Sequence, residues 1–297
     1  MRKSREPLTP RPIIQKGSEA TDFGHLTVSA SEKARFLESE GFDPAWLRKF
    51  IGGEEYINDG IRFCLWLKDA RPDALRSCPA VLDRLKSVAR ARADSDKART
   101  KWWADYPTLF TEDRQPTSQY LLVPKVSSQR RQYVPMGIVD EKTIVSGSAQ
   151  FVQDADNFTF GLMTSSMHMT WMKAVGGRTK SDYQYTNTLV YNTFPWPDAT
   201  PAQRTKIEAL AQAVLDARLA HPTASLADLY DPDTMPGDLR KAHHALDLAV
   251  DRLYRATPFA SDRDRVEHLF GRYEALVNPL ATAGVKANKR VARNAAK

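Results

Sequence analysis

Polar and apolar positions along this 297-residue chain fall into two regimes that meet at Phe194-Pro195-Trp196-Pro197. Beyond that point the apolar residues recur at helical spacing. Ile207, Leu210, Ala211, Val214 and Leu215 follow Thr200-Pro201, and Leu239, Leu246, Val250 and Leu253 follow Pro236. A third helix is predicted from about Ser261 to Val277. Steps of three and four residues place each set on one face, so the three helices predict a small bundle. The boundary is sharp because each proline removes a backbone donor and drives the preceding residue out of the helical region.

Before the boundary the apolar runs are short. Leu121-Leu122-Val123, Tyr133 to Val139 and Thr143-Ile144-Val145 are each bounded by Pro, Gly or Ser. This predicts a small, mainly antiparallel sheet. Phe160 to Val175 reads as a helix stopped by Gly176-Gly177, and Leu189-Val190-Tyr191 as a last strand. Upstream, Asn58-Asp59-Gly60 between Tyr56-Ile57 and Ile61-Arg62-Phe63 is a hairpin signal. From Asp73 to about Tyr106 the period turns helical, with Leu75, Val81, Leu82, Leu85 and Val88 on one side and Arg84, Lys86, Arg90, Arg92 and Lys97 elsewhere. The expected fold class is α+β: a small, mainly antiparallel sheet with flanking helices, followed by a C-terminal helical bundle.

Composition narrows the class. The apolar fraction is 42% and the charged fraction 27%, ordinary for a soluble globular protein and unlike a collagenous, disordered or membrane chain. No run of about 18 apolar residues could span a bilayer, and Met1 to Pro7 lacks the apolar core of a signal peptide, so no membrane association and a cytoplasmic location are expected. Cys64 and Cys78 are too few for a disulfide framework and show no zinc-ligand spacing; both are expected to be small buried residues. The net charge of +7 suits an anionic partner, because Lys and Arg displace counterions from phosphates. Part of that excess, Lys286, Lys289, Arg290, Arg293 and Lys297, sits in a terminal stretch without apolar periodicity, expected to be a solvated tail.

Catalytic signatures are missing from the sequence. An S-adenosylmethionine-dependent amino methyltransferase would show a strand-ending Gly-rich loop and an Asn/Asp-Pro-Pro-aromatic tetrapeptide, and the nearest string, Asn192-Thr193-Phe194-Pro195, lacks the Pro-Pro pair. Pro72-Asp73 and Asp140-Glu141-Lys142 match a Mg-dependent nuclease in letters, but Asp73 opens a helix and the triplet reads as an exposed turn. No phosphate-binding Gly-Lys-Ser/Thr loop occurs. The adjacent His243 and His244 point to different helix faces. No catalytic residue, cofactor site or metal site is therefore assigned to this chain.

Two polar segments carry groups suited to base edges. Lys180-Ser181-Asp182-Tyr183-Gln184-Tyr185 follows Gly176-Gly177-Arg178. Lys donates to guanine N7 and O6, Asp accepts from cytosine N4, and Gln pairs bidentately with adenine. If extended, the segment presents Lys180, Asp182 and Gln184 on one side and Ser181, Tyr183 and Tyr185 on the other; the alternative is a polar edge strand. Lys125 to Tyr133 contains Ser128, Gln129, Arg130 and Arg131 between two β-rich runs, where they can serve phosphates and bases together or form a solvated hairpin loop. The stretch Met163, Met167, His168, Met169, Trp171 and Met172 reads as a packed helix, and Trp102-Trp103 as packing.

These residues also carry a resemblance. Lys125 to Pro135, Phe160 to Ser165, His168-Met169 with Trp171, Gly177 to Tyr183 and Val190 to Pro197 resemble, in order, the target-recognition segment of MmeI-like restriction-modification enzymes, and Phe50 to Asn58 with Cys64 to Leu67 fits the region leading into it. Coverage runs from about residue 10 to 280. The resemblance implies a spacer over 1–70, a DNA target-recognition domain over 71–197, a C-terminal helical domain over 198–281 and a basic tail over 282–297. In such enzymes a nuclease and an adenine-N6 methyltransferase precede these parts. The chain is then expected to be the rear part only, reading double-stranded DNA for a methyltransferase domain or subunit that holds S-adenosylmethionine in another chain. The resemblance further implies that Lys180 and Asp182 act as a pair selecting one base, with Ser128, Gln129 and Gly147 near a second specificity region. Here Gln184 stands where a basic residue is usual and Thr179 where an apolar one is usual. Base-reading candidates are Lys180, Ser181, Asp182, Gln184, Ser128 and Gln129, and backbone-contact candidates are Arg130, Arg131, Arg178 and Lys125. Competing readings are a partner-binding remnant and a compact DNA-processing enzyme.

Overall fold

A computed structural model describes residues 1–279; the tail expected over 282–297 lies outside the described residues. The strands are short: β1 (Ile14–Lys16), β2 (Thr27–Ser29), β3 (Leu47–Ile51), β4 (Arg62–Leu65), β5 (Tyr120–Pro124), β6 (Val126–Ser127), β7 (Gly137–Val139), β8 (Ile144–Val145), β9 (Ala149–Gln153), β10 (Gly177–Thr179) and β11 (Asp182–Gln184). They form three sheets, ordered β1-β9-β5-β7, β2-β4-β3-β8 and β10-β11-β6. All ladders are antiparallel except β3 with β8. The α+β class with small antiparallel sheets and C-terminal helices is thus the observed one. Ile144-Val145, however, leaves the central sheet and lies parallel to Phe50-Ile51.

The amino-terminal lobe has its own core, in which Leu26, Val28, Phe63, Cys64, Leu65 and Cys78 pack with Val81, Leu85 and Val88. Both cysteines are buried and unbonded. The hairpin expected at Asn58-Asp59-Gly60 is instead the end of a helix, Gly53–Asn58. Glu55 reaches back to accept from Gly52 N at 2.8 Å, which satisfies a donor at the helix start. Asp59 ends the helix at φ 53°, a left-handed conformation that Asp tolerates. The helical stretch after Asp73 is broken into Pro72–Arg76, Pro79–Ala93 and Ala98–Trp102, because Pro79 fits a first turn but not a helix interior.

Two further differences concern the central region. Phe160 to Val175 is divided into helices Asn157–Met163 and Ser166–Val175; Ser165 accepts from His168 N at 3.4 Å and donates to Leu162 O at 2.7 Å, capping one helix and closing the other. The methionines, His168 and Trp171 are buried as a packed helix requires. Leu189-Val190-Tyr191 is not a strand but part of a π-helical turn, Asn187–Tyr191. It is held by the amino terminus rather than by a sheet edge: Ser4 N donates to Thr188 O at 3.0 Å and Tyr191 Oη donates to Pro12 O at 2.7 Å.

After the Phe194 to Pro197 boundary, helices Pro201–Leu219, Gly237–Tyr254 and Asp262–Val277 form the carboxy-terminal domain. Thr200 and Gln203 form a capping box at the first, and Ser261 caps the third. Ile207, Ala211, Val214, Leu246 and Val250 share one continuous core with Leu121, Val123, Val152, Phe160 and Trp171 of the preceding region. No helix among the described residues is long and apolar enough to cross a membrane.

Two side chains sit differently from expectation. Arg92, expected among the outward basic residues, is fully buried. Trp102, expected to pack, is 58% exposed and contacts Trp103 and Tyr106 edge-on or tilted at about 5 Å between ring centres.

Candidate nucleic-acid interface

The two polar segments singled out by their residue types meet in the third sheet. β10 and β11 form a hairpin with the pairs Gly177↔Gln184, Arg178↔Tyr183 and Thr179↔Asp182. β11 then pairs with β6 through Tyr183↔Ser127 and Gln184↔Val126, so the loop after Ser127 starts beside the hairpin. The extended alternation does not run through Lys180, because Thr179↔Asp182 closes a two-residue turn and Lys180 occupies it at φ 56°. A left-handed Lys costs roughly 1 kcal/mol, and strain of this kind persists where the surroundings hold it, often at functional positions. Along β11 Asp182 and Tyr183 are both half-buried and Gln184 is exposed, and Tyr185 just beyond the strand is buried.

The tip is braced by its own chemistry. The Arg178 guanidinium lies 4.3 Å from the centre of the Tyr183 ring and its Nη1 donates to Ser181 O at 2.9 Å. A cation over an aromatic face is attracted to the ring quadrupole, so Arg178 stiffens the turn that presents Lys180 and Ser181, both exposed. Asp182 accepts from Gln129 N at 3.2 Å through Oδ1. This single bond joins the hairpin to the loop and leaves Oδ2 of the carboxylate for another donor.

Cations proposed for the phosphate backbone differ in availability. Arg130 is ion-paired with Asp233 and, at 3.5 Å, with Asp231. Arg131 is half-buried; desolvation lowers its pKa, opposed by the field of Asp231 and Asp182. Lys125 turns inward to donate to Gly147 O, and burial, with nearby Lys16 second, lowers its pKa as well. Gly147 is itself buried and its N donates to Ser18 O at 2.8 Å.

Between the hairpin and the helix Gly53–Asn58 lies an open cleft of about 580 Å³. Its walls combine Ser128, Arg131 and Asp182 with Glu54, Arg62 and Ser148. The last three were missed by sequence reasoning, since they lie far from the polar segments in the chain and only the tertiary packing brings them close. Arg62 bonds Glu55 at 3.0 Å, while the buried Ser127 Oγ and the Nε atoms of Arg62 and Arg131 have no hydrogen-bond partner within the protein. Buried polar atoms without partners are uncommon and costly. Donors and acceptors of both charges face the same surface, an arrangement suited to reading hydrogen-bond patterns rather than to holding one anion.

A compact surface of this kind, mounted on a small sheet and backed by a helical domain, is that of a recognition module. The family profile for the MmeI target recognition domain matches residues 1–198, and that for the MmeI C-terminal domain matches residues 199–281. The chain belongs to the MmeI family. It is 36% identical over 271 residues to DNA methyltransferase A of Bacillus subtilis (strain 168), covering 91% of this chain and 31% of that protein. It also superposes on the solved structure of the type IIL restriction-modification enzyme MmeI in complex with DNA, with a TM-score of 0.90, 40% identity, and coverage of 93% of this chain and 37% of the other. The chain thus spans about a third of the length of these relatives.

Proposed function

We propose that this chain reads the sequence of double-stranded DNA for a restriction-modification methyltransferase. The observation that carries the reading is the joining of the Lys180–Asp182 hairpin tip to the Ser128–Arg131 loop through β11 and β6, which puts base-edge donors and acceptors from two distant segments on one surface. The family membership supports it, as does the close structural likeness to an enzyme solved with DNA. Lys180 faces guanine N7 or O6 and Asp182 accepts from the cytosine amino group of the same G·C pair. Ser128 and Gln129 read a neighbouring position, with Ser181 and Gln184 at its border. Arg178, Arg130, Arg131 and Lys125 order the surface or meet phosphates, which position a protein without specifying sequence.

Adenine-N6 methylation belongs, on this reading, to a methyltransferase domain or subunit that holds S-adenosylmethionine. The test is selection from a randomised duplex library at moderate salt. Wild type enriches a motif, and Lys180→Glu/Asp182→Arg changes the preferred base at one position of it. Uniform weak binding by both proteins refutes base reading.

A further inference from the structure

The loop Ser128–Gln132 is clamped from two sides that are far apart in sequence. On one side β6 is paired with β11 and Gln129 N is held by Asp182. On the other, the anchors come mainly from the carboxy-terminal domain, with Val134 N also donating to Met169 Sδ at 3.3 Å and Ser166 Oγ to Tyr133 Oη at 3.5 Å. Arg130 is ion-paired with Asp231 and Asp233. Tyr133 Oη, just past the loop, donates to Asp247 Oδ2 at 2.6 Å, and its ring stacks on His243 with centres 4.0 Å apart and planes 18° from parallel. Farther on, Met136 O accepts from Arg218 Nη1.

The anchor itself has little freedom. Asp247 is buried and accepts from Ser166 N and Ser166 Oγ at 2.6 Å each, as well as from Tyr133. His243 is fixed by Tyr230 at 2.7 Å, and Tyr230 by Arg218 Nε at 2.7 Å. Within this buried network His243 Nδ1 and Arg218 Nη2 have no hydrogen-bond partner in the protein, so the restraint on Tyr133 rests on the three bonds that Asp247 accepts and on the ring stack. The amides of Ser128–Gln132 are not part of a long ladder, since β6 contains two residues, so the loop has few other restraints.

We propose that Asp247, with Tyr133, and the pair Asp231 and Asp233, through Arg130, are positioning residues for base selection: the carboxy-terminal domain sets the conformation in which Ser128 and Gln129 are presented. This rests on the reading of Ser128 and Gln129 as base-contacting. Site geometry must be held to within about half an ångström to discriminate, and a loop released on one side loses that precision while keeping its charge.

The experiment uses the full chain and the randomised duplex library. Ser128→Ala/Gln129→Ala first marks the positions that the loop reads. Tyr133→Phe keeps the ring on His243 but deletes the bond to Asp247, and Asp231→Asn/Asp233→Asn removes an ion pair at the surface, where folding tolerates the change. Both variants are expected to lower discrimination at the marked positions about fivefold or more, the lower end of what one mismatched pair costs. Discrimination at the position governed by Lys180 and Asp182 stays within about twofold. An even loss of affinity with both ratios intact, wild-type ratios throughout, or no position marked by the Ser128/Gln129 variant overturns the proposal while leaving the recognition reading in place. A wild-type chain that enriches no motif overturns both.

Discussion

Replacing Arg92 by Met removes a guanidinium that is fully buried in the helix Pro79–Ala93 while keeping an apolar stem of similar length. In the native protein Nε donates to Thr21 O at 3.1 Å, Nη1 to Trp103 O at 3.1 Å and Tyr106 O at 2.9 Å, and Nη2 to Ala20 O at 2.7 Å and Leu109 O at 2.8 Å. All five N–H donors therefore end on backbone carbonyls, and the desolvation that lowers the arginine pKa is countered by these dipoles and by the field of Asp22. A hydrogen bond from a charged donor contributes roughly 1.5–3 kcal/mol, so simple addition gives about 7–15 kcal/mol. That sum overshoots, because deletions within one network are not additive and four of the five bonds lie at partly exposed positions where water replaces the donor. A loss of about 3–5 kcal/mol is expected for Arg92→Met, the worth of about two such bonds, since the carbonyl at the buried position has no water to replace its donor. Arg92→Lys loses about half as much, since three donors on one nitrogen cannot serve a planar fork of five acceptors. Urea unfolding followed by tryptophan fluorescence measures both. A loss below about 1 kcal/mol for Arg92→Met would refute the idea that this guanidinium ties residues 20–21 and 103–109 to the amino-terminal lobe.

Two other expectations are tied to local features. Lys180→Gly relieves the left-handed strain at the hairpin tip and raises stability by about 0.5–1 kcal/mol while abolishing preference for guanine at its position; a stability gain together with unchanged selection would mean that Lys180 is not a reading residue. Burial pushes the pKa of His168 down to about 3, so the folded protein keeps it neutral while the unfolded chain protonates near pH 6.5. The unfolded state then binds more protons and stability falls as pH drops below 6.5. His168 alone contributes a loss of about 2 kcal/mol between pH 7.5 and pH 5. His243, whose pKa is also lowered by burial, acts in the same direction, and Asp247, raised by burial, acts against them, because its folded-state carboxyl takes up a proton at higher pH than the unfolded one does. Urea titrations across that pH range check the slope, and a flat profile would contradict neutral burial.

The sequence made the carboxy-terminal helices legible because their determinants are local: apolar residues on one face, a capping box at Thr200 and Gln203, and a serine cap at Ser261. Where the reading failed, one local signal served two structures. Asp59 does adopt the left-handed conformation that Asn-Asp-Gly announces, but it closes a helix instead of turning a hairpin, and the deciding contact is the Glu55 bond to Gly52. Leu189-Val190-Tyr191 has strand-like side chains, yet β-propensity expresses packing against neighbours, and the neighbours here are Ser4 and Pro12 from the amino terminus.

The interface shows the same division between residue chemistry and long-range geometry. The types at Lys180, Asp182, Ser128 and Gln129 were enough to single them out, but nothing in their spacing says that Asp182 bonds Gln129 or that Glu54 and Arg62 share their cleft. Charge counting fails in a related way. A helical period sorts residues by polarity, so Arg92 was placed away from the apolar side, and a net charge of +7 suits an anionic partner without saying which cations face it. Within the protein, Arg92 is spent on carbonyls, Lys125 donates to Gly147 O, Arg130 is paired with two carboxylates and Arg178 lies on Tyr183. Contacts with carbonyls and rings leave the charge of Lys125 and Arg178 in place, whereas Arg130 is already offset by carboxylates and Arg92 is buried away from solvent, so the net charge does not say which cations meet phosphates. On the reading proposed above, those cations bear on strength more than on selectivity, because phosphate contacts strengthen binding to every sequence alike.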